Sequence, residues 1–203
     1  MPSRMIDARA AKETFSPPRV HRSLHVGRIT VDDHDALTMA SVTIRVARTA
    51  DAGEIAQLTT QLGYDLREEA AAGRLSRILE RTDQQFFVAD LAGRAIGWVH
   101  VVFVEYVDAE AFVLIGGLVV DRDHRRLGVG RALMDRAESW ARECGCSMVR
   151  LTSSVTRRAA HKFYETLGYT NIKAQYSFIK PLDPAAAARV ASFVPRVEPV
   201  DAP

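Results

Sequence analysis

Cysteine is scarce in this chain of 203 residues, which contains only Cys144 and Cys146. Two thiols two positions apart do not make a disulfide framework, and a zinc site would need two further ligands. We therefore expect both cysteines to be small buried residues of a cytoplasmic protein. We also expect no bound metal.

Long apolar runs and an excess of one charge are also missing. No run approaches the 18 or more apolar residues of a membrane-spanning helix. The 27 basic and 25 acidic residues give a formal net charge of +2, which argues against nucleic acid or a membrane as a partner. Hydrophobic residues form 47% of the chain, enough for one compact domain with tails.

The apolar periodicity divides the chain into three parts. Residues 1–40 have no sustained apolar period and no signal-peptide core, so we predict a mostly disordered arm. Residues 41–180 carry alternating elements and form the predicted domain. Residues 181–203 contain five prolines and many alanines, which indicates a second tail with a short helix at Pro184 to Phe193.

The order of elements predicts an α/β fold with a mixed sheet flanked by helices. Strands are expected where apolar residues alternate or run together, and helices where they recur at three or four positions. The first helix begins with a potential capping box, Asp51-x-x-Glu54. In chain order, the predicted elements are strand Val42–Val46, helices Asp51–Leu62 and Glu69–Leu79, strands Gln85–Ala89, Ala95–Glu105 and Phe112–Val120, helix Val129–Cys144, strand Ser147–Thr152, helix Thr156–Leu167 and strand Ala174–Ile179.

The most informative segment follows the predicted strand Phe112–Val120 and leads into the predicted helix Val129–Cys144. It reads Arg125-Arg126-Leu127-Gly128-Val129-Gly130-Arg131. Two glycines at a helix start let backbone N–H groups converge, while the helix dipole and three arginines add positive charge. This pattern predicts a site for phosphate or pyrophosphate.

Other interpretations of the glycines are weaker. A dinucleotide-binding loop has G-x-G-x-x-G directly after a strand, but here residues 121–124 intervene and Leu133 holds the third glycine position. The G-x-x-x-x-G-K-[ST] pattern of a P-loop is absent. A glycine-capped surface turn without a ligand is the remaining alternative.

Two motifs together resemble the GNAT superfamily of N-acetyltransferases. Arg125-x-x-Gly128-x-Gly130 is similar to its Q/R-x-x-G-x-G/A signature, and residues 160–169 resemble its A-x-x-F-Y-x-x-x-G-[FY] segment. The resemblance covers about Val42 to Lys180. It implies the GNAT fold, with acetyl-CoA as co-substrate held where two neighbouring strands splay apart. It also implies cofactor contacts from Leu118, Val119 and Val120, from the glycine segment, and from Arg157, Ala160 and Phe163.

The resemblance implies direct transfer of an acetyl group to a primary amine. Tyr164 matches the family's F-Y tyrosine and is the predicted general acid, because a phenol can protonate a departing thiolate. For the general base, Glu105 is the first choice and His100 the second. Many relatives have asparagine where this chain has Arg157, which puts the asparagine contact to the pantetheine amide in doubt. The alternatives are an arginine contact to the phosphates and a solvated helix start.

Several features are left open by the sequence. Gly116-Gly117 lies mid-strand, which fits either a cofactor opening or a packing constraint. Acids at Asp65, Glu105, Asp108 and Glu110 favour a cationic small-molecule or peptide amine. The alternatives are a non-catalytic acetyl-CoA sensor and an acyltransferase using another acyl-CoA or an alcohol. A homodimer is compatible with the sequence.

Overall fold

The computed structural model describes residues 42–193, built around one five-stranded mixed sheet. The strands lie in the order of the sequence; the first four pair antiparallel and the fifth pairs parallel to the fourth. The strands are β1 Thr43–Val46, β2 Gln84–Leu91, β3 Arg94–Tyr106, β4 Ala109–Val120 and β5 Val149–Leu151. The helices are α1 Ala52–Thr60, α2 Glu68–Leu79, α3 Val129–Glu143, α4 Arg158–Thr166 and α5 Pro184–Phe193. This confirms the predicted α/β class with a mixed sheet and flanking helices.

The chain divides into two compact units, the first ending at Thr152 and the second beginning at Ser153. Helices α1 and α2 pack on one face of the sheet in the first unit. There, Ile55, Leu58 and Leu75 meet Phe86 and Trp98 in one buried cluster. Because side chains alternate along a strand, Phe87 faces the opposite side of the sheet. Its ring is covered by Arg136 of α3 at 4.4 Å from the ring centroid.

A buried ion network fixes the start of α1 against the sheet edge. Arg45 of β1 donates through two nitrogens to Asp51, at 2.7 Å each, and through Nε to Asp90 of β2, also at 2.7 Å. The Arg48 amide also donates to Asp51. Burial alone would raise the pKa of Asp51, but the hydrogen bonds from Arg45 and Arg48 lower it below its usual value. The same contact with Asp51 raises the pKa of Arg45.

The predicted capping box at Asp51-x-x-Glu54 is wrong. Asp51 immediately precedes α1, but its carboxylate makes no cap hydrogen bond to this helix. It is occupied by Arg45 and by the Arg48 amide instead. A charge-assisted, bidentate contact with arginine is stronger than a hydrogen bond from an uncharged backbone amide of the helix. The Asp51 carboxylate therefore binds Arg45 rather than capping α1.

The predicted strand at Ala174–Ile179 is also wrong. Residues 170–180 have no regular secondary structure, and Tyr176 and Phe178 are about nine-tenths exposed, at 88% and 91%. Alternation of apolar side chains shows which face a strand could bury, but a strand forms only where a neighbour completes the hydrogen-bond ladder. The predicted helix at Pro184–Phe193 is present, whereas the predicted arm at 1–40 and residues 194–203 lie outside the described residues.

The ion network generates a stability prediction. Asp51→Asn should lower the free energy of unfolding at pH 7 by about 3 kcal/mol, because it leaves a buried guanidinium short of its counter-charge. The pKa of Asp51 is lowered on folding, so its contribution is present above the unfolded value of about 3.9 and is lost as the pH falls below it. Urea unfolding should therefore show wild type and variant converging at acid pH.

The matched control for this variant is Asp83→Asn. Asp83 pairs with Arg81 at 2.6 Å, but both side chains are exposed, at 37% and 54%. Exposed pairs contribute little to stability. An equal loss of stability in the two variants would contradict the importance of the buried network.

Candidate active site

Strand β4 extends beyond the end of its parallel neighbour β5. The pairing runs from Val113 opposite Val149 to Ile115 opposite Leu151, where β5 ends, while β4 continues to Val120. In the described part of the chain, no strand lies against the outer edge of residues 116–120. A free strand edge presents N–H and C=O groups that an extended ligand can pair with. This edge includes Leu118, Val119 and Val120, which the sequence analysis assigned to the coenzyme arm.

A bulge interrupts β4 where this edge becomes free. His100 of β3 stands opposite Gly117 and Val101 stands opposite Ile115, so Gly116 is the extra residue. A Cβ at Gly116 would lie 2.9 Å from His100 Nδ1, and a Cβ at Gly117 would lie 2.8 Å from the Trp98 ring. Both glycines are therefore required by aromatic rings standing over the backbone. This is a specific form of the packing constraint considered from the sequence.

The glycine segment follows β4 as an arginine-rich turn into α3. Arg126 has φ 66° and Gly128, the residue before the helix, has φ 80°, so two left-handed residues reverse the chain. The first helical hydrogen bond runs from the Ala132 amide to the Gly128 carbonyl at 3.0 Å. The amides of Val129 and Gly130 precede this first bond, at the end of the helix where N–H groups and the helix dipole favour an anion.

Arginine side chains add charge to this turn. Arg125 and Arg126 are exposed, and Arg125 Nε donates to the Val120 carbonyl at 3.1 Å. This bond holds the Arg125 guanidinium at the end of β4. Val129 is buried at the helical side of the turn, whereas Leu127 is 40% exposed. We call residues 125–131 the anion cradle.

His100 of β3 lies beside the β4 bulge, at the level where the free edge of β4 begins. Its Nε2 is 2.9 Å from the Oε1 atom of Gln84 on β2, and its ring stacks on Phe86 with centroids 5.6 Å apart. Burial lowers the pKa of His100, so the imidazole is neutral at pH 7 and able to accept a proton. Sequence reasoning missed Gln84, because no local motif connects two residues 16 positions apart.

Glu105, the first choice for the base, lies elsewhere on β3. Gly97 stands opposite Val120, next to the cradle, whereas Glu105 is exposed near the far end of the hairpin. At about 3.3 Å per residue, His100 is roughly 10 Å along the strand from the Gly97 level and Glu105 roughly 26 Å. The two candidate bases therefore lie at different distances along β3 from the level of the anion cradle. Of the other acids, Glu110 accepts from Ser147 Oγ at 3.3 Å.

Tyr164 belongs to the second unit, on α4. Its ring contacts Phe163, with centroids 5.3 Å apart, and Tyr169, with centroids 6.0 Å apart. Burial raises the pKa of Tyr164, an effect that Arg157 partly opposes, so the hydroxyl keeps its proton at neutral pH. Arg157 is exposed at the start of α4, while Ala160 and Phe163 are half-buried along it.

The two cysteines are buried thiols, as predicted. Burial, together with Cys146 and Glu143 nearby, raises the pKa of Cys144 to about 12, and burial raises that of Cys146 as well. Neither is a ready thiolate nucleophile. Residues 42–193 contain no cluster of three metal-ligating side chains. Over the same range, no helix is both long and apolar enough to cross a membrane.

Several solved structures that share this fold are described as acetyltransferases. A protein of Agrobacterium tumefaciens described as a "Putative acetyltransferase" superposes with a TM-score of 0.62 at 22% identity, covering 68% of this chain and 99% of the other. Aminoglycoside N-acetyltransferase AAC(6')-Iy in complex with CoA superposes with a TM-score of 0.63 at 22% identity, covering 68% and 94%. At this identity the likeness establishes the fold alone.

Sequence comparison gives the family. The model of the Acetyltransferase (GNAT) family matches residues 52–169. Aminoglycoside N(6')-acetyltransferase type 1 of Stenotrophomonas maltophilia is 29% identical over 149 residues, covering 71% of this chain and 96% of the relative. An uncharacterized N-acetyltransferase of Chlorobaculum tepidum is 31% identical over 137 residues, covering 68% and 81%. The chain therefore belongs to the GNAT family of acetyltransferases.

The anion cradle generates a binding prediction. Gly128→Val should weaken coenzyme A binding by about tenfold or more, because valine disfavours φ 80° and would turn the converging amides away from the pyrophosphate. Calorimetric titration of coenzyme A measures the effect. The matched control is Gly145→Val, at φ 74° just beyond the other end of α3 with open space around it. Equal affinities in the two variants would remove the cradle from the coenzyme site.

Proposed function

We propose that this protein transfers the acetyl group of acetyl-CoA to a primary amine, directly and within a ternary complex. The observation that carries the proposal is the continuity of the free β4 edge with the anion cradle. The edge ends at Val120, whose carbonyl is bound by Arg125 of the cradle at 3.1 Å. An extended arm ending in a pyrophosphate needs that sequence of contacts: strand-like pairing followed by an anion site.

Direct transfer fits the nucleophiles that the chain offers. An acyl-enzyme would need an activated serine or cysteine, but both thiols are buried and have raised pKa values. We infer that the amine itself attacks the thioester carbonyl. A bond forms between the amine nitrogen and the acetyl carbon, the carbon–sulfur bond breaks, a base takes the amine proton, and an acid protonates the departing sulfur.

His100 is the better-supported base of the two candidates. It stands at the bulge, roughly 10 Å along the strand from the cradle level, and its lowered pKa keeps it neutral. Glu105 is exposed at the hairpin end, roughly 26 Å along the same strand. Because a base must lie within hydrogen-bond reach of the amine, position along the edge favours His100. Tyr164 is the proposed acid, on the strength of its register in the F-Y motif and its protonated hydroxyl.

The proposed acceptor is a small cationic amine. The Stenotrophomonas maltophilia relative is named as an aminoglycoside N(6')-acetyltransferase, and aminoglycosides contain several amino groups. Asp65, Glu105 and Asp108 are exposed carboxylates on the unit that holds the cradle, and they would attract such a cation. Aminoglycosides are thus the first class to test, followed by polyamines and peptide amines.

An amine panel tests this function. We expect steady release of the coenzyme thiol with at least one polycationic amine, together with a product heavier by one acetyl group in its mass spectrum. Tight binding of acetyl-CoA without release for any amine would favour a non-catalytic sensor. Transfer to an alcohol, or preference for a longer acyl-CoA, would replace the proposed reaction by another acyltransferase activity.

Tyr164→Phe gives a second test of the mechanism. We expect kcat to fall by about a hundredfold, which is the lower end of the rate enhancement that a general acid provides. The KM for acetyl-CoA should stay unchanged, because the aromatic ring remains in place. Tyr176→Phe is the matched control, since Tyr176 is 88% exposed. Wild-type turnover of Tyr164→Phe between pH 6 and 9 would reduce Tyr164 to a packing residue.

A further inference from the structure

The imidazole of His100 has two nitrogens in different surroundings. Nε2 lies 2.9 Å from Gln84 Oε1 across the β2–β3 pair. Nδ1 points to the other side, at the β4 bulge, where a Cβ on Gly116 would come within 2.9 Å of it. The ring is thus held between an amide on one neighbouring strand and a bare glycine on the other.

The Gln84 carbonyl oxygen can only accept a hydrogen bond. Its contact with Nε2 therefore selects the neutral tautomer whose proton is on Nε2, which leaves the lone pair on Nδ1. Stacking on Phe86 keeps the ring plane in place. The groups that contact the ring or pair with His100 on the neighbouring strands are uncharged: Gln84 and Phe86 on β2, and Gly116 and Gly117 on β4. Burial is the cause of the lowered pKa of His100.

The bulge leaves Nδ1 open. Any side chain at Gly116 would meet Nδ1, and a side chain at Gly117 would meet the adjacent Trp98 ring. The same stretch of β4 is where the strand loses its outer neighbour, since pairing with β5 stops at Ile115. The basic nitrogen thus lies next to the free edge along which the coenzyme arm is proposed to bind.

We propose that Gln84 is a positioning residue: it holds His100 in the Nε2–H tautomer and aims the Nδ1 lone pair at the bulge, where the acceptor amine loses its proton. This inference rests on the proposed acetyl transfer with His100 as base. Gln84 does not touch substrate. It acts by fixing which nitrogen of His100 is basic.

The tautomer can be measured without any activity. In protein labelled with ¹⁵N-histidine, the two nitrogens of a neutral ring have well-separated shifts, and His100→Gln identifies the His100 signals. We expect the protonated nitrogen of His100 to be Nε2 in the wild type. In Gln84→Leu, which cannot accept the bond, we expect a mixture of tautomers. A wild-type ring protonated on Nδ1, or an unchanged tautomer in Gln84→Leu, would overturn the inference even if the enzyme acetylates amines.

Kinetics test the consequence for the reaction. Gln84→Leu should lower kcat by roughly three- to tenfold, the range of one neutral hydrogen bond, with the KM for acetyl-CoA unchanged. In this variant the acid limb of the pH profile of kcat/KM should move to lower pH. The protonated His100 ring loses a hydrogen-bond acceptor, which lowers the pKa of His100. Gln84→Glu should restore the tautomer and move the limb to higher pH, because a carboxylate stabilises the imidazolium.

The control is Gln85→Leu, which changes the neighbouring residue on β2. Successive side chains of a strand point to opposite faces, so Gln85 faces away from His100. We expect its tautomer, kcat and pH profile to match the wild type. An acid limb that stays in place in both Gln84 variants would remove Gln84 from the reaction. If His100→Gln keeps full activity while the tautomer result holds, the proposed base is wrong and the positioning of the ring stands.

Discussion

The antiparallel pairing of β3 with β4 is the constraint on which the rest of the site depends. It places Gly97 opposite Val120, so the strand end that carries the cradle is tied to the sheet centre. It also contains the bulge, which turns two consecutive glycine positions toward the rings of Trp98 and His100. A one-residue slip in this register would exchange the two faces of β4 and separate the basic ring from the free edge.

The turn between β4 and the cradle is hydrogen-bonded to the residue that directly follows α1. The Arg122 amide donates to Gln61 Oε1 at 3.0 Å, which links the residue after α1 to the turn after β4. The beginning of α1 is fixed in turn by Asp51 and its contacts with Arg45 and Arg48. A buried charge at one end of a helix therefore helps to place a loop at the other end.

Sequence reasoning succeeded where the information is local. The glycines of residues 125–131 predict a helix start at Val129, and α3 begins there, directly after the left-handed Gly128. It failed where the structure depends on which of several partners a residue or segment binds. Asp51 had the pattern of a cap but is held by Arg45, and residues 174–179 had the alternation of a strand but no neighbour. The Gln84–His100 contact was invisible, because it depends on the register between two strands.

The glycine pair in β4 carries a consequence for how this protein can evolve. Gly116 and Gly117 are not needed for a left-handed turn; they are the space that two rings on β3 occupy. Each glycine and its ring therefore form a unit of epistasis. A side chain at position 116 becomes tolerable only after His100 has shrunk, and one at 117 only after Trp98 has. Lineages that keep the rings are confined to glycine at both positions, whereas lineages that lose them are free to reshape the strand.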